Sequence, residues 1–462
     1  MGPRIVQVIG AWQYAVTALL YMALCGLALA TDQMLWGDGS LFAYVAGLDD
    51  PWSLFWRDFP ARLGGGLIST LPAWLAGRLG VEAEGISFIY QATWLALPLA
   101  GLGWAWRRLP ADDKDWIAPA VLFWAAVVMT SFTFPTELWV AAALFWPVLF
   151  ALLFPDGRAA RWTRLGVTPL MIFTHETVVL LVPVLLFAAW RPWRPMPGRE
   201  QALFSAVLLI SAAAMGTVAL TVAPTNPLQL HAISGNAGHF LSPVAFLQMP
   251  LLSGGGAVLA LFLLSALLPE RRTVENLAMV AALLLAVLCY AALTGQAYPF
   301  AHYFARVGIA VLLPAFALAM LLLRGRWRPE RATVLLFLAP LVVAQGIYQV
   351  TFNLDWQTYR GAVLTTLVDP PSRPVIDLTD TPILHLATTP RQEANFLWRW
   401  MLPFQSLTLR LPEGVERRVL ITDLSGWFSP FTCAQTPRLS YRGTVGPGVM
   451  DALTWHVCAA NP

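Results

Sequence analysis

The chain has 462 residues, of which 58% are hydrophobic and 12% charged, with a formal net charge of +3; its mean hydropathy is +0.63. A water-soluble domain carries roughly 25% charged residues, so this chain has more apolar surface than an aqueous fold can hide, and lipid must be part of its solvent. The small net charge, with basic residues confined to short loops, gives nucleic acid no continuous basic surface to bind.

The first thirty residues place Arg4 before an apolar stretch that ends in Ala28-Leu29-Ala30. This reads either as a cleaved signal peptide or as a retained first helix, and in both cases the chain that follows faces outward. A spanning helix needs about 20 apolar residues. Apolar segments lie near 10–31, 86–106, 115–133, 137–155, 166–174, 176–190, 201–223, 251–269, 274–295, 305–323 and 332–352. The fifth and sixth are too short to span singly. They form one apolar stretch between Arg164 and Arg191, broken at Thr174-His175-Glu176, and predict a broken hairpin with His175 and Glu176 at its apex.

With the hairpin counted as up and down, the arginines sort to one side: Arg107 and Arg108 with Lys114, then Arg158, Arg161 and Arg164, then Arg191, Arg194 and Arg199, then Arg271 and Arg272, and last the group from Arg324 to Arg331. That side is cytoplasmic by the positive-inside rule. The opposite loops 134–137, 224–250 and 296–304 carry neither arginine nor lysine. The long first external loop, 32–85, holds Asp32, Asp38, Asp49, Asp50, Asp58, Arg57 and Arg62. Its apolar stretch 65–79 is read as a helix lying in the interface, because a span there would invert every later loop. The expected fold is an α-helical polytopic membrane protein of about eleven transmembrane segments, the broken hairpin included. Residues 1–354 form the membrane module, and 355–462, with alternating runs such as Arg418-Val419-Leu420-Ile421-Thr422, an extracytoplasmic β-rich or α/β domain.

Two of the four cysteines, Cys25 and Cys289, fall in apolar runs and read as packing. Cys433 and Cys458 lie in the polar tail, where a disulfide would suit an oxidising compartment.

Ionisable groups at or within a membrane face cost a few kcal/mol each at a helix centre. Asp38, in Trp36-Gly37-Asp38-Gly39-Ser40, is either a helix cap or a functional carboxylate just above the bilayer. Glu137, in the minimal turn Phe134-Pro135-Thr136-Glu137, is open to the same two readings. His175 and Glu176 point more firmly to function, because a broken hairpin lines a cavity rather than lipid. His302, Tyr303 and Arg306 open the tenth segment, where Arg306 either attracts an anionic head group or snorkels to the surface. His231 and His239 suit a loop over a site better than a metal centre. No HExxH, CxxC, phosphate loop or GxSxG element supports metalloprotease, redox, nucleotide or serine-hydrolase chemistry.

Together these positions resemble the GT-C glycosyltransferases. Gly37-Asp38-Gly39-Ser40 with Phe42-Ala43-Tyr44 is similar to the acidic element early in that family's first external loop. Glu137 is similar to the second acid after its third span, and 166–190 to its short helical hairpin. His302 to Arg306, continuing to Leu313-Pro314-Ala315, resembles the family's Arg-Tyr and proline-bearing late helix with the order of Arg and Tyr reversed, which leaves the role of Arg306 open. The resemblance covers residues 10–352 through short motifs. It implies a polyprenyl-phosphate sugar donor, a cell-envelope glycan, lipid or protein acceptor, a multi-pass location in a bacterial inner membrane with a periplasmic tail, and inversion at the sugar. Asp38 would be the base, and Arg62, His175, His302 and Arg306, near Tyr303, would bind the lipid phosphate. Glu137 and Glu176 would orient the acceptor or help hold a divalent cation, Mg or Mn. Three other readings stand beside it: a transporter or flippase of a lipid-linked substrate, an acyltransferase with His175 as base, and a non-catalytic assembly protein.

Overall fold

The structure is a computed structural model that describes residues 3–52, 60–131, 135–222, 259–261, 264, 273–281, 301–323, 331–368, 374–386, 399–416, 418–423, 433 and 448–460. The expected spans near 251–269 and 274–295 lie largely outside these residues, as do His231, His239, Arg57 and Asp58.

The described chain is mostly helical. Three of its helices are long and apolar enough to cross a membrane, Ala83–Arg108, Gly198–Thr221 and Val334–Val368, and shorter apolar helices cover Tyr14–Ala30, Glu137–Leu153, Glu176–Trp190 and Ile309–Leu322. In chain order, α1 (Pro3–Ala30) is followed by α2 (Asp38–Ala46), α3 (Leu63–Ser69) and α4 (Leu71–Arg78), all in the first loop, and then by α5 (Ala83–Arg108), α6 (Ala118–Ser131) and α7 (Glu137–Leu153). The single interfacial helix expected at 65–79 is two helices. The break falls at Thr70, and Pro72 opens α4 in the first-turn position that its missing N–H tolerates.

The hairpin is built from α8 (Gly157–Trp162), a π-helical turn (Thr163–Val167), α9 (Thr168–Ile172), a 3-10 helix (Glu176–Leu181) and α10 (Val182–Trp190). Next come α11 (Gly198–Val222), α12 (Ala301–Leu323) and α13 (Arg331–Val368). At about 1.5 Å per residue α13 is roughly 57 Å long, nearly twice a bilayer core of about 30 Å. Its last turns therefore project beyond any membrane it crosses, and the boundary expected at 354/355 falls inside a continuous helix. Beyond it, β1 (Val375–Asp377) pairs in parallel with β2 (Leu420–Thr422), Val375 opposite Leu420. Helices α14 (Ile383–Leu386), α15 (Leu402–Thr408) and α16 (Val449–Ala460) complete the described tail, in which Cys433 and Cys458 are joined by a disulfide.

Helix α7 is apolar around its whole circumference and buried at all but one position, the pattern of a helix enclosed on every side. Trp139, Trp146, Phe145 and Phe150 are fully buried. Trp139 packs edge-on against Trp124 of α6 at 4.8 Å between ring centres, and Phe123 lies 5.8 Å from Trp146 and 6.1 Å from Phe316 of α12.

Among the described residues, three arginine-rich connections converge at one end of α7. Buried Arg164 donates to the carbonyls of Ala151 at 2.9 Å and Pro155 at 3.0 Å, and pairs with Glu200. Arg194 bonds the carbonyl of Leu153 and pairs with Asp156, Arg108 reaches the Asp156 carbonyl, and Trp116 meets Trp193. The opposite end, where α7 begins, carries the acids.

Candidate functional site

Four separate stretches of sequence meet at the start of α7. Asp38 is the first residue of α2 and Glu137 the first of α7, so both carboxylates sit at helix N-termini, where the backbone dipole favours negative charge. Gly37 and Thr136 are the capping residues, and neither makes a side-chain capping bond. Arg62 ends a 3-10 helix (Pro60–Arg62) just before α3. His175 and Glu176 occupy the hairpin apex, with extended backbone at His175 interrupting the helix.

Helix α3 brings these parts together by lying directly on the hairpin break. The Gly64 N–H donates to the Phe173 carbonyl at 2.8 Å, and a Cβ at Gly64 would stand 2.0 Å from the carbonyl oxygen of Leu170. At Gly65 it would stand 3.1 Å from Cγ of Glu137. Glycine is required here by close approach.

Arg62 is the centre of the cluster. Its Nη1 lies 3.3 Å from Glu137 Oε1 and its Nε 3.1 Å from Glu176 Oε1. The second Glu176 oxygen lies 3.3 Å from His175 Nδ1, which also faces the Thr177 N–H at 3.2 Å and the Thr177 hydroxyl at 3.0 Å. Glu137 and His175 are buried, whereas Asp38, Arg62 and Glu176 are half-buried. The charge of Asp38 acts on Arg62 and on Tyr90 of α5. Burial works against the Arg62 charge, but Glu176 and Glu137 outweigh it, so the guanidinium is held above its ordinary range. At the turn, outside the spanning helices, burial would raise the Glu176 carboxyl; Arg62 and then His175 hold it well below the usual carboxylate range instead.

Of the residues singled out from the sequence, Glu137, Arg62, Glu176 and His175 are thus linked in a chain of contacts in that order, and Asp38 is within electrostatic reach. His302, Tyr303 and Arg306 fall in the first turns of α12, which packs against the 3-10 helix headed by Glu176, but their side chains lie outside the described residues. Tyr90 escapes sequence reasoning. It is fully buried, within the fields of Asp38 and Glu137, and its hydroxyl has no hydrogen-bond partner among the described residues. A tyrosine near the end of a membrane helix is ordinary, so nothing in the sequence marks it.

Arg62 already fills the space between Glu137 and Glu176, and among the described residues no group of three or more His, Cys, Asp or Glu side chains is placed to hold a metal.

Below the cluster, α1, α5, α6 and α13 line an apolar, partly open pocket of about 400 Å³ with Tyr14, Tyr21, Pro98, Leu102, Trp124 and Gln345, among others. Tyr90, Trp94 and Pro98 follow one another along one face of α5, so the cavity lies roughly 12 Å below Tyr90 along the helix. Trp124 and Trp139, with the Trp139 indole N–H bonded to the Trp94 carbonyl at 3.3 Å, stand between the two.

No family model matches the sequence, and neither a curated protein nor a solved structure matches the chain.

Proposed function

We propose that this chain is a GT-C-like glycosyltransferase of about eleven spans, set in a bacterial inner membrane with its acidic end and its tail in the periplasm. It moves a sugar from a polyprenyl phosphate to a hydroxyl on a cell-envelope glycan, lipid or protein. The acceptor oxygen bonds to the anomeric carbon as the bond from that carbon to the phosphate oxygen breaks. Asp38 takes the acceptor proton, the lipid phosphate departs with the bonding electrons, and the sugar inverts. A general base must lie within hydrogen-bond reach of the proton it removes, and half-buried Asp38, at a helix start beside Arg62, suits that role. Charge that builds on the leaving phosphate needs fixed positive partners, which Arg62 supplies, joined in this reading by Arg306 and His302. Glu137, Glu176 and His175 hold Arg62 in place and orient the acceptor.

The observation that carries the reading is the gathering of Asp38, Glu137 and Glu176 around Arg62, from four distant parts of the chain, at the end of the bundle opposite the arginine-rich loops. The broken hairpin would also suit a carrier of lipid-linked substrates. In proteoliposomes supplied with a polyprenyl-phosphate sugar, Asp38→Asn is expected to insert normally and to lose transfer by about a hundredfold or more. Full activity in that variant overturns the mechanism.

A further inference from the structure

A second polar network, unused in the reaction above, lies where α1 ends. Asp32 is 1% exposed and has the left-handed backbone conformation φ 54°, ψ 31°, which only a few non-glycine residue types adopt readily. Its Oδ2 lies 2.8 Å from Arg360 Nη2 of α13, and its Oδ1 lies 2.8 Å from Arg410 Nη2, just past α15, and 3.3 Å from Gln91 Nε2 of α5. The neighbours of Asp32 are held as well. The Trp356 indole donates to the Thr31 carbonyl at 2.8 Å, and the Asn353 amide donates to Thr31 Oγ1 at 2.8 Å and Gln33 Oε1 at 2.6 Å.

The same tail segment lies on the helix that Asp38 begins. The Ser40 hydroxyl is 3.7 Å from the Met401 sulfur, Tyr44 and Phe404 pack with ring centres 5.2 Å apart, and Ser87 donates to the Thr408 carbonyl. Tyr359 of α13 donates to Gln405 of α15 at 2.9 Å.

We infer that Asp32 is a positioning residue: by tying the end of α1 to α13 and to the C-terminal segment, it fixes residues 31–38 and clamps α15 onto α2, so that Asp38 is held toward the Arg62 cluster. Apolar packing alone would tolerate small slips of α15 over α2. A buried carboxylate shared by two arginines and an amide admits few alternative registers, a use of buried polar groups that specifies geometry more than it adds stability. The tail is accordingly a wall of the site. The catalytic part of the inference rests on Asp38 being the base; the clamp does not.

The test uses the full chain carrying Ser40→Cys and Met401→Cys, reconstituted in liposomes and treated with a short bifunctional thiol reagent. Adding Asp32→Asn is expected to reduce cross-linking between the two positions. Transfer from a polyprenyl-phosphate sugar should fall in kcat by about tenfold or more with KM changed by less than about twofold, and the cross-linked fraction should regain its rate. If Asp32→Asn does not insert, Arg410→Gln is read in the same way. Unchanged cross-linking overturns the clamp, and reduced cross-linking with unchanged kcat overturns the positioning role. A parent protein that transfers no sugar defeats the proposed reaction, and the cross-linking yield then decides the clamp alone.

Discussion

Arg62 answers two carboxylates at once, one of them on the buried Glu137. Removing one partner of a buried ion pair leaves the other charge uncompensated, at a cost of about 3 kcal/mol or more, whereas removing both can be nearly neutral. Arg62→Met is therefore expected to destabilise the detergent-solubilised protein by about 3 kcal/mol in thermal unfolding, and Glu137→Gln added to it should restore at least part of that loss. A double variant as unstable as the sum of the two singles would remove the coupling. Because the Glu176 carboxyl is depressed, its share of the stability is complete above the unfolded carboxylate range, about pH 4.3, and is lost only as pH falls through the lower folded value. Glu176 thus keeps its charge throughout the neutral range. Asp38, Arg62, Glu137, His175 and Glu176 were legible in the sequence because a charge beside an apolar run is costly. Asp32 was one aspartate among five in its loop, and its partner Arg410 stands 378 residues away, a pairing that no local pattern announces.

Among the elements, the long apolar helices follow hydropathy directly, and the hairpin break shows in the polar triplet Thr174-His175-Glu176. What hydropathy did not carry was the division of 65–79 into α3 and α4, decided by Pro72, and the continuation of α13 to Val368, beyond which Pro370 and Pro371 stand. Helix α3 is short and only moderately apolar, and its place depends on close approach to the hairpin backbone at Gly64. Gly64→Ala must push α3 off Leu170, an overpacking cost of about 1–3 kcal/mol, and with α3 moves the adjoining Arg62. A Cβ added at Gly103 of α5 would meet nothing within 4 Å, so Gly103→Ala, at an unhindered place inside a helix, should stabilise slightly. Thermal unfolding of the two variants is expected to shift in opposite directions, and equal shifts would mean that α3 is not wedged as described.

At the scale of the whole molecule, two independent lines of physics bear on which end faces outward. Arginine-rich loops stay on the cytoplasmic side, and the three described ones converge at the end of α7 where Arg164 and Arg194 lie. The Cys433–Cys458 disulfide needs an oxidising compartment. It belongs to the tail, whose α16 packs on β2, β2 on α15, and α15 on α2, the helix that starts with Asp38. Under the proposed function, charge and redox chemistry would both put the carboxylate cluster on the outer face. Leu79, at the end of α4, and Trp162, on α8 among the arginines, are 86% and 73% exposed, so a substitution at either disturbs little packing. Against the background of the parent protein, Leu79→Cys in intact cells should react with a membrane-impermeant maleimide. Trp162→Cys should react only after the membrane is opened. The reverse pattern would place Asp38 and Arg62 in the cytosol, where neither an external lipid-linked donor nor a lasting disulfide is expected, and the proposed reaction would have to be abandoned.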